Sequence, residues 1–254
     1  MSEFDFVVVG GGSAGYAAAR TAADEGLRTA VIDGSDELGG LCILRGCMPS
    51  KTLIESANRL QEMREAPEFG LRARDVGFDG TKIIERKRRL ISEFAKYRAE
   101  QLESGKFELI RGHARFTSPD EAVVRLRGGG EQTLRAKSIL VATGSVIRHP
   151  GIPGLAEAQP LTSDDVLDNE HPPKSLLVLG AGPVALEMAH YHRALGAEVT
   201  VVQRSKHILS SMDYDIADAV QRGMERHGTK FVTGCRIVGA GPSSRGQMVR
   251  VAHH

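Results

Sequence analysis

The chain has 254 residues, 41% of them hydrophobic and 26% charged, enough to bury a sizeable core in one large domain or two modest ones. A formal net charge of +1 excludes the clustered cationic excess that nucleic acid or an acidic membrane surface requires, and no apolar run approaches the roughly 18 residues of a membrane span. The amino terminus, MSEFDFVVVGGGSAG, lacks a basic segment followed by a long apolar core, so a cytoplasmic protein is expected.

In chain order the first element is the apolar run at 6–9, continuous as in a parallel strand buried on both faces. Gly10, Gly12 and Gly15 follow in a GxGxxG turn, then an Ala-rich helix over 17–23 stopping near Gly26, and a second strand, RTAVID, ending on Asp33. In that context the first glycine allows the tight turn, the second lets backbone approach a pyrophosphate, and the third lets helix pack on strand. Asp33 stands where a carboxylate accepts hydrogen bonds from an unmodified ribose, as in FAD or NAD.

The next segment, GGLCILRGCMPSK (39–51), holds Cys42 and Cys47 five positions apart. On one regular helix such residues stand about 140° and roughly 7.5 Å apart, beyond disulfide reach. Cys42 is therefore expected on an irregular lead-in, with Gly46 supplying flexible backbone. Pro49 suits the first turn of a helix through SKTLIESANRLQEM, whose Leu53, Ala57, Leu60 and Met63 form an apolar stripe. Cys47 then lies near a helix amino terminus with Lys51 close by, which stabilises a thiolate. A close cysteine pair in the cytoplasm means metal or redox chemistry. A zinc site would need a second pair of soft ligands at short spacing, and Cys235 in TGCRI has no companion, so no metal is expected and Cys235 reads as a small core residue.

Further on, TKIIERKRRLISEFAKYRAEQLES places Ile83, Leu90, Ile91, Phe94 and Tyr97 at helical spacing, which makes its basic cluster the solvated face of a long amphipathic helix. FELIRGHARFTSPDEAVVRL alternates as strands around a Ser-Pro-Asp turn, and GIPGL marks a junction between two parts.

The second part repeats the first at a constant offset of 170: Gly10 matches Gly180, Gly12 matches Gly182, Gly15 matches Ala185, Gly26 matches Gly196 and Asp33 matches Gln203. Apolar residues 176–179, a glycine turn, a helix over 185–194 and the strand EVTVVQR recur in that order. Gln203 followed by Arg204, with Lys206 and His207 beyond, can accept a 2′-phosphate that a carboxylate repels, so this unit favours NADP over NAD. The expected fold is α/β, with two Rossmann-like dinucleotide-binding units on parallel sheets plus a small antiparallel sheet. The domains are read as 1–155, FAD-binding with the cysteine pair, and 156–254, NAD(P)-binding and incomplete.

GGLCILRGCMPSK resembles the redox-active signature of the flavin-dependent pyridine nucleotide-disulfide oxidoreductases, the family of dihydrolipoyl dehydrogenase, glutathione reductase and mercuric reductase. VVVGGGSAG resembles that family's FAD fingerprint, SILVATGSVIRHPGIPG its second FAD motif, and LLVLGAGPVALE its NAD(P) fingerprint. The resemblance implies that Gly10, Gly12, Ser13, Ala14 and Gly15 cradle the FAD pyrophosphate, Asp33 holds its ribose, and Gly40 and Lys51 lie beside phosphates and flavin. Thr143, Gly144 and Ser145 would close the other side, and Gly112 would present backbone to the cofactor, leaving His113 a loop residue. Gly180, Gly182, Pro183 and Ala185 would face the NAD(P) pyrophosphate, Gln203 and Arg204 its ribose, and Glu187 would sit near the flavin as a partner for Lys51. By the same resemblance Cys42 and Cys47 form a redox-active disulfide that relays an electron pair between NAD(P)H, through the flavin, and a disulfide or dithiol substrate, with Cys47 against the flavin and Cys42 exchanging with substrate. A homodimer is implied for the full-length form.

The chain departs from the family pattern at Leu41, where a hydroxyl residue is usual, and at ILR between the cysteines. The HPxxxE pair of the family's dimerisation domain is absent, since Gly154 and Leu176 stand five positions after His149 and His171. An incomplete member is therefore expected. Two alternatives accompany the dihydrolipoyl dehydrogenase-like reading: a dinucleotide-binding fragment without its own turnover, and a mercuric reductase-like flavoenzyme. Arg20 with Ser13 resembles the glutathione reductase pattern, and Tyr16 with PSK that of dihydrolipoyl dehydrogenase, so the substrate stays open.

Overall fold

The computed structural model describes residues 2–243 and 246–253. In chain order its elements are β1 (Ser2–Val9), α1 (Ser13–Asp24), β2 (Thr29–Asp33), α2 (Gly40–Leu44), α3 (Cys47–Glu65), α4 (Gly80–Leu102), β3 (Glu108–Ser118), β4 (Glu121–Leu126), β5 (Glu131–Val141), α5 (Ser163–Leu167), β6 (Ser175–Leu179), α6 (Pro183–Ala194), β7 (Glu198–Val202), α7 (Tyr214–Arg226), β8 (Lys230–Val232), β9 (Cys235–Ser243) and β10 (Gly246–His253). This is a mixed α/β fold with parallel sheets and antiparallel pairs. The chain forms two compact units, one of residues 1–49 and 88–146 and the other of 50–87 and 147–254.

In the first unit β1 pairs in parallel with β2 and β5, and β2 in parallel with β3, while β4 runs antiparallel between β3 and β5. The five strands close into a ring. Closure depends on two long strands that each serve two partners. Residues 108–111 of β3 pair with β2 and 112–118 with β4, and β5 likewise passes from β4 to β1. Gly112 sits at the change-over, where a Cβ would lie 2.4 Å from the Arg125 carbonyl oxygen. Its neighbour His113 is a strand residue opposite Arg125, not the loop residue expected. Phe4, Val7, Val9, Ala30, Ile32, Val124 and Leu134 fill one side of the sheet, and Val8, Val31 and Ala19 of α1 pack on the other with Leu102 and Phe107.

In the second unit β6, β7 and β8 form a parallel sheet in that order, and β9 and β10 an antiparallel pair. Leu176 and Val178 pack with Leu186 and Ala189 of α6, but Leu177 on the opposite face is 41% exposed. The expectation of a strand buried on both faces thus fails for β6, which lies at the sheet's edge. A second cluster joins Leu53, Ala57 and Leu60 of α3 to Ile84 of α4 and to Met188 and Tyr191 of α6. Met63, expected to extend that stripe, is 44% exposed. On α4 the buried positions are Ile84, Lys87, Ile91, Ala95 and Leu102, whereas Phe94 and Tyr97 face out. The basic run is therefore not wholly solvated: Lys87 is buried, and its Nζ lies 2.7 Å from Asp168 Oδ1. On α6, His192 is fully buried, and its ring nitrogens and Tyr191 Oη have no hydrogen-bond partner among the described residues. Burial lowers His192 to a pKa of about 4 and raises Tyr191 to about 12.

Candidate functional site

The repeat read from the glycines is carried by backbone hydrogen bonds at the same offset. Gly10 N–H donates to Ile32 O and Gly180 N–H to Val202 O, both at 2.8 Å; Tyr16 N–H donates to Gly12 O and Leu186 N–H to Gly182 O. Both helices close alike, Leu27 N–H on Ala22 O and Ala197 N–H on His192 O at 3.0 Å, past Gly26 (φ 80°) and Gly196 (φ 103°).

The first turn is tightly packed. Gly10 has φ 109°, and a Cβ there would lie 2.2 Å from Ala142 O and 3.1 Å from Thr143 N. A Cβ on Gly15 would lie 1.8 Å from Gly10 O, while one on Gly12 would meet only Gly40 Cα, at 3.7 Å. Gly12 caps α1 without a side-chain hydrogen bond, and no acidic residue stands in the first turn, which holds exposed Ser13 and Ala14. A cradle of backbone amides left open at the second glycine fits a pyrophosphate. Thr143 comes up to Gly10, and Gly144 and Ser145 follow it exposed, Gly144 at φ 74°.

Asp33 is 7% exposed; Oδ2 accepts from Gly11 N–H at 2.8 Å, and Oδ1 accepts from Ser35 N–H at 2.9 Å and from the Ser35 hydroxyl. A carboxylate offers about four lone-pair sites, so it can still accept from a ribose. Arg111 donates to Ser35 O, and Arg127 donates to Asp36 O and Oδ1 at 3.1 and 3.0 Å, tying down the loop after Asp33. The sequence pattern missed Gly11, Arg111 and Arg127. Only for Gly11 was there a signal, the middle glycine of GGG where the second copy has Ala181.

The cysteines sit on two short-linked helices. Gly39 (φ 144°) and Gly40 (φ 73°) open α2, and a Cβ on Gly40 would be 2.4 Å from Gly12 Cα, so the helix carrying Cys42 starts directly against the first glycine turn. Arg45 ends α2, Gly46 follows, and Cys47 begins α3. The expected irregular lead-in is thus a single helical turn with a break after it. Gly46 serves close approach rather than flexibility: its φ is not left-handed, but a Cβ there would lie 3.0 Å from Leu41 O and 3.3 Å from Cys42 Cα. Cys42 is half-buried, Cys47 exposed and Cys235 fully buried, its thiol donating towards Val232 O at 3.6 Å. Leu41 is 46% exposed.

Lys51 lies one turn beyond Cys47 on α3, and its Nζ is 2.5 Å from Glu187 Oε1 on α6, with Ser50 Oγ donating to Oε2 at 3.3 Å. Lys51 is mostly exposed, so this pair contributes at most about 1 kcal/mol to stability.

The second turn is open. Gly180 (φ 96°) and Gly182 have no atom of the described residues within 4 Å of an added Cβ, Pro183 occupies the first turn of α6, and half-buried Ala185 takes the helix position where the first unit needs glycine. Gln203 follows β7 with its N–H on Val232 O at 2.8 Å, and Arg204 is exposed beside it.

A family model described as pyridine nucleotide-disulphide oxidoreductase matches residues 4–251, and the chain belongs to that family. It is 33% identical over 247 residues to the dihydrolipoyl dehydrogenase of Bacillus subtilis (strain 168), covering 93% of this chain and 52% of that protein. Against the leghemoglobin reductase of Vigna unguiculata the identity is 34% over 247 residues, covering 96% of this chain and 47% of the other. Among solved structures, the Cu(II) complex of a cysteine-to-serine mutant of the HOCl-induced flavoprotein disulfide reductase RclA from Escherichia coli matches with a TM-score of 0.81 at 24% identity, over 100% of this chain and 54% of that one. At that identity the likeness concerns the fold alone. The chain spans about half the length of the curated relatives it matches. No helix among the described residues is long and apolar enough to cross a membrane.

Proposed function

We propose that this chain carries the nucleotide-binding and thiol-exchanging part of a dihydrolipoyl dehydrogenase-like oxidoreductase, with two Rossmann-like units, that passes electrons between NAD(P)H and a disulfide or dithiol substrate. Bound FAD would supply the two-electron chemistry that connects nicotinamide to thiol. The supporting observation is the contact of Gly40 with Gly12, which seats the Cys42 helix on the amino-terminal turn of α1. A cofactor held by its pyrophosphate there would have the cysteine segment as its neighbour.

In this reading, Gly10, Gly12, Ser13, Ala14 and Gly15 offer backbone to the pyrophosphate and Asp33 accepts from the ribose. Gly40, Gly112, Thr143, Gly144 and Ser145 border the same cofactor. Gly180, Gly182, Pro183 and Ala185 take the NAD(P) pyrophosphate, and Gln203 with Arg204 favours a 2′-phosphate. Lys51, oriented by Glu187, holds a positive charge one helical turn from Cys47. The amino terminus of α3 stabilises a thiolate on Cys47, while Cys42 exchanges with substrate. A homodimer and a cytoplasmic setting, whose reducing thiol pool leaves such a pair available for exchange, belong to this reading.

The test is FAD binding followed by anaerobic addition of NADPH and alkylation. Cys42 and Cys47 should become labelled only when FAD is bound, and Cys47→Ser should abolish the NADPH-dependent labelling of Cys42. Failure to bind FAD overturns the proposal. FAD bound without thiol labelling favours the second reading, a dinucleotide-binding portion without turnover, which the half-length match supports.

A further inference from the structure

We infer that Leu209 is a positioning residue for nucleotide choice. Its backbone latches the loop after β7, which carries Arg204 and Lys206, to the second glycine turn, and so sets how tightly a 2′-phosphate is held. The inference deepens the reading of Gln203 and Arg204 as the 2′-phosphate side of the second unit and rests on it.

Among the described residues, three other than glycine have positive φ: Asp75 (53°), Gln159 (48°) and Leu209 (47°). Asp75 and Gln159 are exposed, whereas Leu209 is buried. A bulky apolar residue resists the left-handed region and persists there only where its surroundings over-determine it, as at ligand clamps. Here the side chain is buried in one cluster with Ala181, Leu186, Val201 and Ile208. Leu209 N–H donates to Ala181 O at 2.9 Å, and Leu209 O accepts from Met212 N–H at 2.8 Å. Ala181 is the middle residue of the turn between Gly180 and Gly182. In the first unit the position 170 earlier is Gly39, with φ 144°, next to the Gly40 that touches Gly12. Each loop thus returns to its glycine turn at a residue of positive φ, but only in the second does that residue oppose the conformation.

The other end of the loop is fixed separately. Gln203 N–H donates to Val232 O at 2.8 Å, and Ser205 O accepts from Gly234 N–H at 2.9 Å. Lys206, His207 and Ile208 therefore run between two anchors, Ser205 and Leu209, with Arg204 just before the first. Arg204 and Lys206 are exposed, at the end of the strand where a dinucleotide's ribose lies. The latch fixes their separation from the amides of the glycine turn, which a nucleotide carrying both a pyrophosphate and a 2′-phosphate must match. Charge-assisted hydrogen bonds to that phosphate contribute fully only when their donors are held in place beforehand. The turn itself does not depend on the latch, because Gly180 N–H on Val202 O and Leu186 N–H on Gly182 O tie it to its own strand and helix. Releasing Leu209 therefore weakens the hold on the 2′-phosphate and spares the rest of the nucleotide.

The experiment measures the affinities of the full chain for NADP+ and NAD+ by calorimetry. Leu209→Ala removes the apolar anchor and keeps the strain, whereas Leu209→Val keeps apolar surface and, being β-branched, adds to the strain. Each should lower the ratio of NADP+ to NAD+ affinity about tenfold, roughly one charge-assisted hydrogen bond, and change NAD+ affinity by less than about twofold. Leu209→Gly, which is free of the strain, should stay within about threefold of the parent ratio. Circular dichroism melts confirm that each variant folds, and the valine variant carries the test if the alanine variant does not. An unchanged ratio in both strained variants overturns the latch, as does an equal loss of NAD+ affinity or a glycine variant as impaired as the strained ones. Arg204→Ala separates the two levels. If it lowers the ratio while the Leu209 variants do not, only the role of Leu209 falls; if it leaves the ratio unchanged, the 2′-phosphate reading falls and this inference with it.

Discussion

The two glycine turns share their hydrogen bonds but not their packing. In the first, β5 pairs along β1 to Val9, and Ala142 N–H donates to Val9 O at 2.8 Å, so a strand end covers Gly10. In the second, β6 has only β7 as a neighbour among the described residues, and none of their atoms lies within 4 Å of a Cβ added to Gly180. The same turn is therefore sterically obligatory in one place and conformationally obligatory in the other. A linked change accompanies this. A Cβ on Gly11 would lie 2.8 Å from Asp33 Oδ2, whereas its counterpart Ala181, 1% exposed, carries that Cβ where Gln203 replaces the carboxylate. A glycine turn is thus specified by what packs on it as much as by the anion it is built to meet.

The largest test of this contrast is at the third glycine. Gly15→Ala forces a Cβ to 1.8 Å from Gly10 O and should destabilise the chain by about 3 kcal/mol in urea unfolding, whereas Ala185→Gly should cost only about 1 kcal/mol. Equal effects would erase the distinction.

Next comes His192, whose counterpart in the first unit is Ala22. Its folded-state pKa of about 4 lies below the ordinary 6.5, so the unfolded chain takes up the proton first. The stability of the neutral buried ring is fully present above pH 6.5 and falls as the pH drops towards 4, by roughly 3 kcal/mol. Urea midpoints across that range should show the slope, and His192→Leu should flatten it.

At Gly11 the expected effect is smaller. Gly11→Ala should cost about 1–2 kcal/mol in the parent and about 1 kcal/mol less in an Asp33→Ala background, a coupling that a double-mutant cycle measures. Gly182→Ala should be smallest, within about 1 kcal/mol in stability, because its φ of −79° and open surroundings suit alanine. Its effect should appear in NADPH affinity by calorimetry instead.

The repeat, both helix stops and the antiparallel hairpin of β3 and β4 were legible because glycine spacing and apolar runs are local properties. What escaped depends on distant atoms. Gly11 is needed for a carboxylate 22 positions away. Gly46 is needed for Cys42 Cα, which spacing alone suggested only as flexibility. The five residues of α2 are too few to show a helical period, and Gly39 and Gly40 disguise its start. Phe94 and Tyr97 match the helical stripe of α4 as well as Ile91 does, yet the buried face is Ile84, Lys87, Ile91, Ala95 and Leu102, with Lys87 paired to Asp168 on that side. The short α5 escaped too, although Thr162 and Asp165 form a reciprocal cap at its start.

In the five-stranded ring every strand has two neighbours, which leaves little free backbone for another chain to extend. β6 offers the opposite: an apolar strand, SLLVL, bonded on one side only among the described residues and showing Leu177 to solvent. When the protein is warmed or concentrated, that border is where intermolecular strand addition should begin, so a lysine at position 177 should delay turbidity without touching either nucleotide turn.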